Sequence, residues 1–479
     1  MRYRYELIIL PFLVAACGAP VASRQTVAPV PTNALASAPT VVLATSTPAA
    51  TVTSPSQAAT PTGETIVAPT SVPAPTSASQ STSVPAPTGV LAPTSAPEST
   101  SAPAPTSAPA IGVNEVLFLR DGRLTAHGVD TGVERTIADN VSDFVATPDG
   151  ALLALVRGVG REAEIWTVRR DGSELTRRTE DTRADATPAL AADSSALLFA
   201  SADTAAPYTR QWLEWGQWCA TSEVRLIELA TGEARTLGAG CDPAFAPDNK
   251  RIAFATPPTS DAPGFPHSAA NTIRLVNRLG QNGWTFASAD GTAERGMVVY
   301  APAWSPDGAQ VSFQRFVGYQ ALVDIGMGEL APAFKGGGQP FYSGAGWQLP
   351  AHFSPTATRV AVVENNAGDA RGFGGYDSWS VSVVQMEGQR SDVLPSGDIQ
   401  LIGGNVEKLV RAQGGAWSPD GATVAVILPP KWSPELSLNE PVNNGEETPG
   451  DLWLWQPGQQ PRQQIAENVD FASPVVWLP

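Results

Sequence analysis

From Val113 to the C-terminus the chain alternates between apolar and polar positions in short runs. ALLALV at 151–156, RIAFAT at 251–256, QVSFQR at 310–315, RVAVVE at 359–364 and TVAVIL at 423–428 share one rhythm. A period of two over this length predicts β-strands, because successive side chains of a strand point to opposite faces of a sheet. A polar break precedes the runs, and it varies little. It reads Thr147-Pro148-Asp149-Gly150, Ala246-Pro247-Asp248-Asn249, Ser305-Pro306-Asp307-Gly308 and Ser418-Pro419-Asp420-Gly421. This is turn chemistry: proline presets φ, aspartate bonds nearby backbone, and glycine accepts positive φ. The aromatic residue ahead of the break ends a short strand and is expected in the core. A longer stretch, EIWTVRRDGSELTRRT at 164–179, adds a second hairpin turning at Asp171-Gly172, and EVRLIELATGEARTL at 223–237 repeats it.

Four short strands per unit, repeated along the chain, predict the blades of a β-propeller. Anchors fall at Ala146, Leu190, Phe245, Trp304, Phe353, Trp417 and Trp477, with weaker turns after Leu190 and Phe353. The Trp-Ser-Pro-Asp-Gly motif and the Asp171-Gly172 hairpin unit resemble the WD40-like repeats of TolB type, also called PD40 repeats. The resemblance covers Val113 to Pro479 and implies an all-β propeller fold. It does not imply one activity, since a propeller frame hosts many. The stretch EVLFL at 115–119 begins a unit that lacks its own first strand, while DFASPVVWLP at 470–479 supplies a first strand with nothing after it. The two ends together predict a seventh blade. The alternative is six blades with the ends tucked in.

The first part of the chain has a different character. Arg2 and Arg4 precede an apolar run from Leu7 to Ala16, too short for a stable membrane span and suited to a signal-peptide core. It closes on Leu13-Val14-Ala15-Ala16-Cys17-Gly18, which resembles a bacterial lipobox; an ordinary secretory signal with a chance cysteine is the alternative. The lipobox reading makes 1–16 a lipoprotein signal peptide and Cys17 the acylated first residue of the mature chain. Residues 17–110 then form a Pro-, Thr-, Ser- and Ala-rich linker with no aromatic residue and almost no charge, expected to remain disordered. Its prolines favour an extended spacer of about 3.1 Å per residue. The propeller domain takes 111–479. The chain carries 30 Lys and Arg against 46 Asp and Glu, a net charge of −16, which argues against a nucleic-acid partner.

Candidate chemistry is sparse. The histidines are His127, His267 and His352, in no metal-ligand spacing, and no G-x-S-x-G nucleophile motif occurs. No catalytic residue, metal or cofactor is predicted. Gly-rich FKGGGQPF at 334–341 lacks the Lys-Ser/Thr of a phosphate loop and reads as a surface loop. Cys219 and Cys241 form an even pair once Cys17 is set aside, and in an oxidising compartment they are predicted to form a disulfide; two buried thiols are the alternative. The connections from second to third strand carry the long insertions, at 201–222, 257–271, 365–378 and 429–450, all at the end opposite the Pro-Asp-Gly turns. Long loops on one rim of a rigid scaffold are the expected binding surface. The first of them holds Tyr208, Arg210, Trp212, Trp215 and Trp218, which suit a protein or glycan contact or, alternatively, pack the loop onto its own propeller. His352 stands where the other units place Ala or Val, and so is expected either to project into the central channel or to pack as a bonded core histidine.

These readings converge on an exported, monomeric propeller, anchored by lipid in a bacterial cell envelope, facing the cell surface or periplasm. Its expected role is binding or scaffolding, with a protein or envelope glycan as partner. The alternative is an envelope enzyme, a glycan lyase or hydrolase, with a site at the channel. Replacing Cys17 by Ser should leave an unprocessed or mislocalised precursor on fractionation; normal processing and anchoring of that variant would exclude the lipobox.

Overall fold

The computed structural model describes 113–209, 212–259, 270–289, 298–316, 320–327, 339–345, 349–365, 376–387, 390–393, 399–402, 405–433 and 448–479. The signal peptide, Cys17, the linker and Arg210 lie outside the described residues. Among those described are seven four-stranded antiparallel sheets and one two-stranded ribbon, in the all-β arrangement of a propeller. In the order of the chain, blade 1 starts with the strand Val141–Ala146, blade 2 with Ala184–Leu190 and blade 3 with Cys241–Phe245. Blade 4 starts with Val298–Trp304, blade 5 with His352–Phe353 and blade 6 with Gln413–Trp417. Within a blade the strands follow one another outward in chain order. Blade 5 departs from this: a ribbon of Arg390–Val393 and Ile399–Ile402 is inserted before its outer strand, Val406–Val410.

The turns behave as their residues dictate. In blade 4 the Gly308 amide donates to Ser305 O at 2.8 Å, and the Gln310 amide donates to Ser305 Oγ at 2.9 Å. Gly308 sits at φ 69, where an L side chain is costly. Thr147 and Ser418 build the same turn in blades 1 and 6, each hydroxyl donating to the following aspartate at 2.6 Å. Those hydroxyls, joined by a backbone amide, hold Asp149, Asp307 and Asp420 below the usual carboxylate range. Neighbouring turns are stitched to one another by arginine. Arg251 of blade 3 stacks 4.6 Å over Trp304 of blade 4 and donates to Gly308 O at 3.0 Å. Arg359 of blade 5 does the same to blade 6, over Trp417 at 4.8 Å and onto Gly421 O.

The first strands bulge at one level. The ladder shifts between Ala186 and Ala189, between Cys241 and Ala244, and between Tyr300 and Ala303. The bulges hold Pro188, Pro243 and Pro302, which have no amide to give to a ladder. The residues ahead of these prolines, Thr187, Asp242 and Ala301, take φ of 48, 50 and 48. Blade 6 uses Gly414 and Gly415 in the same place, at φ 89 and 118.

Both ends of the propeller domain build the seventh blade. Val476–Leu478 pairs antiparallel with Glu115–Arg120, setting Glu115 against Leu478, Val116 against Trp477 and Leu117 against Val476. Further bonds fasten the seam. Ser473 Oγ accepts from Leu119 N at 2.7 Å, and the Asp470 carboxylate accepts from the amides of Asp121 and Gly122 at 2.8 and 3.0 Å. Trp477 is only partly buried and donates to Asn114 Oδ1 at 2.6 Å, unlike Trp304 and Trp417, which are 9% and 7% exposed. The core slot expected for Trp477 is thus only partly enclosed; Leu478, at 1% exposure, is the deeper residue. Deleting 472–479 should therefore lower the melting temperature sharply and promote aggregation, since a large apolar side chain in a core is worth about 2–5 kcal/mol and the first strand of 115–120 loses its partner. A deletion that melts like the full chain would mean that the ends do not share a blade.

Candidate functional site

The long insertions leave the blades at the end opposite the Pro-Asp-Gly turns, and the described parts of two of them return into the core. The blade-two insertion contains a helix, Trp212–Ala220. Trp215 and Trp218 on this helix are 1% and 2% exposed. Trp215 packs on Tyr300 of blade 4 at 5.4 Å between ring centroids, and Trp218 meets Tyr208 edge-on at 5.0 Å. The insertion of blade 2 therefore reaches across blade 3 to blade 4. Of the two readings of this loop, Trp215 and Trp218 take the one that packs them onto the propeller, with Tyr208 half-buried beside them: burying large apolar rings in the shared core outweighs leaving them in water. Trp212 is the first residue of the helix.

Asp242 is the hub under this helix. It is 7% exposed, and its carboxylate accepts from Tyr208 Oη at 3.1 Å, from Trp215 Nε1 at 3.1 Å and from Ala301 N at 3.2 Å. Its neighbour Cys241 forms a disulfide with Cys219, the Cα atoms 5.5 Å apart. Ser222 Oγ completes the anchor by donating to Cys219 O or Gly240 O, at 2.9 and 2.7 Å. Blade 5 repeats the principle. Tyr376, at the end of its insertion, is fully buried and meets Phe471 edge-on at 4.7 Å, under blade 6 and beside the closing seam. Gly450 of blade 6 leaves the space the Tyr376 hydroxyl occupies. The outer parts of the insertions of blades 3, 5 and 6, at 260–269, 366–375 and 434–447, lie outside the described residues.

His352 is exposed on the first strand of blade 5, beside Gly415 of blade 6, and its carbonyl accepts from Trp417 Nε1 at 2.9 Å. Among the described residues no group of three or more His, Cys, Asp or Glu side chains is placed to hold a metal ion. Two polar clusters went unforeseen. Between blades 4 and 5, Glu364 is fully buried and accepts from Tyr342, Ser380 and Ser382 at 3.0, 3.0 and 3.2 Å, and from Lys408. Burial and then the Glu364 charge push the Tyr342 hydroxyl well above its ordinary range, so it serves as a donor. At the outer rim, a groove of about 630 Å³ runs between blade 7 and the outer strand of blade 6, lined by Arg120, His127, Glu134, Gln464 and Glu467 among others. Burial alone would raise Glu134; the bidentate pairing with Arg120 at 2.6 and 3.1 Å, helped by His127, holds it below the usual range. Neither cluster leaves a signal in the sequence, because its residues come from separate blades with no motif around them.

No known family's sequence profile matches the chain, and no curated protein matches it. Among solved structures it is similar to TolB from Acinetobacter baumannii, with 13% identity and a TM-score of 0.38 over 75% of this chain and 80% of that one. It is similar also to an oligogalacturonate lyase in complex with manganese, with 12% identity and a TM-score of 0.45 over 70% and 83% of the chains. An oligogalacturonate lyase from Vibrio parahaemolyticus follows, with 11% identity and a TM-score of 0.41 over 64% and 80%. At these values the likeness bears on neither activity nor ligand.

Asp242→Asn puts an amide in place of one acceptor oxygen, against donors on every side. It should destabilise by about 1–3 kcal/mol and open 203–221 to limited proteolysis before the rest of the domain. Urea unfolding and mapping of the first cleavage check this; an unchanged midpoint with no early cleavage there would show that the insertion is not held through Asp242.

Proposed function

We propose that the protein is a non-catalytic binding or scaffolding propeller of a bacterial cell envelope, lipid-anchored through Cys17, which meets a protein or envelope glycan with the long loops of one face. The observation that carries this reading is the way the insertions are rooted. Helix 212–220 is fixed by Asp242 and the Cys219–Cys241 disulfide, and Tyr376 by the aromatic core of blade 6. Loops fixed at their roots present their outer parts at little ordering cost on binding. The opposite face is taken up by short turns whose polar groups satisfy one another. A second reading, an envelope enzyme acting at the channel, rests on His352, an exposed imidazole on an innermost strand.

The mature chain, cross-linked in envelope preparations and probed against envelope glycans, should capture a specific partner. Replacing 366–375 or 434–447 by a short Gly-Ser turn should abolish capture without lowering the melting temperature. Capture that survives both replacements but is lost on changing the Asp171-Gly172 turn would overturn the assignment to this face. Release of shortened glycan, lost in His352→Ala, would favour the enzyme.

A further inference from the structure

Several buried or half-buried carboxyls at the blade seams are matched by cations. Glu115 receives Arg135 and Arg170 at 2.7 and 2.8 Å, and Glu228 receives Arg235 at 3.1 Å together with Arg278. Glu364 receives Lys408, and Glu164 receives Arg177 at 2.8 Å. Asp185, on the first strand of blade 2, breaks the rule. It is 1% exposed, and neither of its carboxyl oxygens has a hydrogen-bond partner.

Of the two hydroxyls beside it, Thr179 has its proton committed elsewhere and Ser201 keeps one to give. Ser201, directly opposite in register, accepts from Arg183 Nε at 3.0 Å. Thr179 accepts from Ile165 N at 2.9 Å and gives its own proton to Glu164 Oε2 at 2.6 Å. The charged groups around the site come from both blades and the link between them. Blade 1 brings Glu164 with Arg177, and Arg161 paired with Asp203 at 2.9 Å. The link brings Glu180, which Arg177 also reaches at 3.3 Å, and Asp181, paired with Arg225 at 2.8 Å. Arg183 reaches Glu223 at 3.9 Å. A carboxylate at Asp185 thus faces two acids and no cation, with only the Ser201 hydroxyl proton left to donate, whereas a carboxylic acid brings a donor of its own to hydroxyl oxygens that can accept it.

Location gives the site its consequence. The Asp185 amide crosses the seam to Ala163 O at 3.1 Å. Ser201 lies near the end of the strand from which the blade-two insertion departs, and Gly160 of blade 1 packs against Ala205 of that insertion with no room for a Cβ. We propose that Asp185 is a proton-binding site that, in its neutral form, fastens the seam between blades 1 and 2 together with the root of the blade-two insertion, and that its ionisation loosens both. This stands independently of what the loop face binds.

Burial pushes Asp185 up to about 7; the nearby hydroxyls oppose the shift, and the Asp181 and Glu164 charges add to it. An unfolded aspartate titrates near about 3.9. The folded state therefore holds the proton more tightly, and this contribution to stability is complete below about pH 4, falls as pH rises and is gone above about 7. Between those limits the folding equilibrium constant falls about tenfold per pH unit from this group alone.

The test is denaturant unfolding of the full chain from pH 5 to 8, with Asp185→Asn alongside. The variant should lose that slope, keeping only what other groups contribute, and should be the more stable of the two at pH 8. Infrared difference spectra at pH 6 should show a protonated carboxyl stretch present in the parent and missing from the variant, and hydrogen exchange over 197–209 should quicken at pH 8 in the parent alone. If Asp185→Asn does not fold, Asp185→Ala provides the same spectral comparison. Equal slopes in parent and variant, or no such carboxyl band at pH 6, would overturn the proposal.

Discussion

The pairing of Val476–Leu478 with the strand that begins at Glu115 is the constraint on which the other blades depend. A sheet in a ring is protected on each side only while its neighbours are in place, and the seventh blade has its strands at opposite ends of the sequence. Hydrogen bonds from Leu119, Asp121 and Gly122 to Ser473 and Asp470 reinforce the junction on one side. On the other, Arg170 of blade 1 donates to Pro479 O at 2.9 Å and holds Glu115 at 2.8 Å. Blade 1 is thereby tied to the first and last strands of the ring at once.

Electrostatics is arranged to suit this architecture. Where a seam between blades buries its side chains, a charge left there without a partner costs several kcal/mol. The chain answers with arginines that serve two blades: Arg278 of blade 3 on Glu228 of blade 2, and Arg251 on the turn of blade 4. Guanidinium suits this place because its planar fork donates to a carbonyl or carboxylate while its face lies on a tryptophan. Arginines and a lysine thus match Glu115, Glu164, Glu228 and Glu364, whereas Asp185 and Asp242 are buried without a cation.

How much was legible in the sequence follows from how local the signal is. The Ser-Pro-Asp-Gly turns and the alternating strands behind them are encoded within a few residues, so the blade frame, and the joining of the two ends in one sheet, could be read directly. The insertions could not. Their length and position were visible, but whether Trp215 and Trp218 face water or core depends on Tyr300 and Asp242, which are remote in the chain. The ribbon at 390–402 in blade 5 was missed because nothing in its sequence separates it from an ordinary outer strand. Trp477 was overestimated by analogy with Trp304 and Trp417; its indole finds Asn114, a partner that exists only after the ring closes. The clusters around Glu364 and Glu134 were illegible for the same reason, since each draws on two or more blades.

The closing strand also fixes an order of events. A ribosome makes residues 476–478 after every other strand of the ring, so the strand at 115–120 is exposed on one edge until they emerge, and no shorter chain can complete the ring. Blades 1 to 6 can collapse as they emerge, each on its predecessor, but the first-made strand waits for the last-made one. Contacts spanning nearly the whole domain slow folding, because the loop must close before the contact stabilises it. The cell must therefore shield one sheet edge until residues 476–478 have been made, and a product stalled or truncated before them is a sticky one.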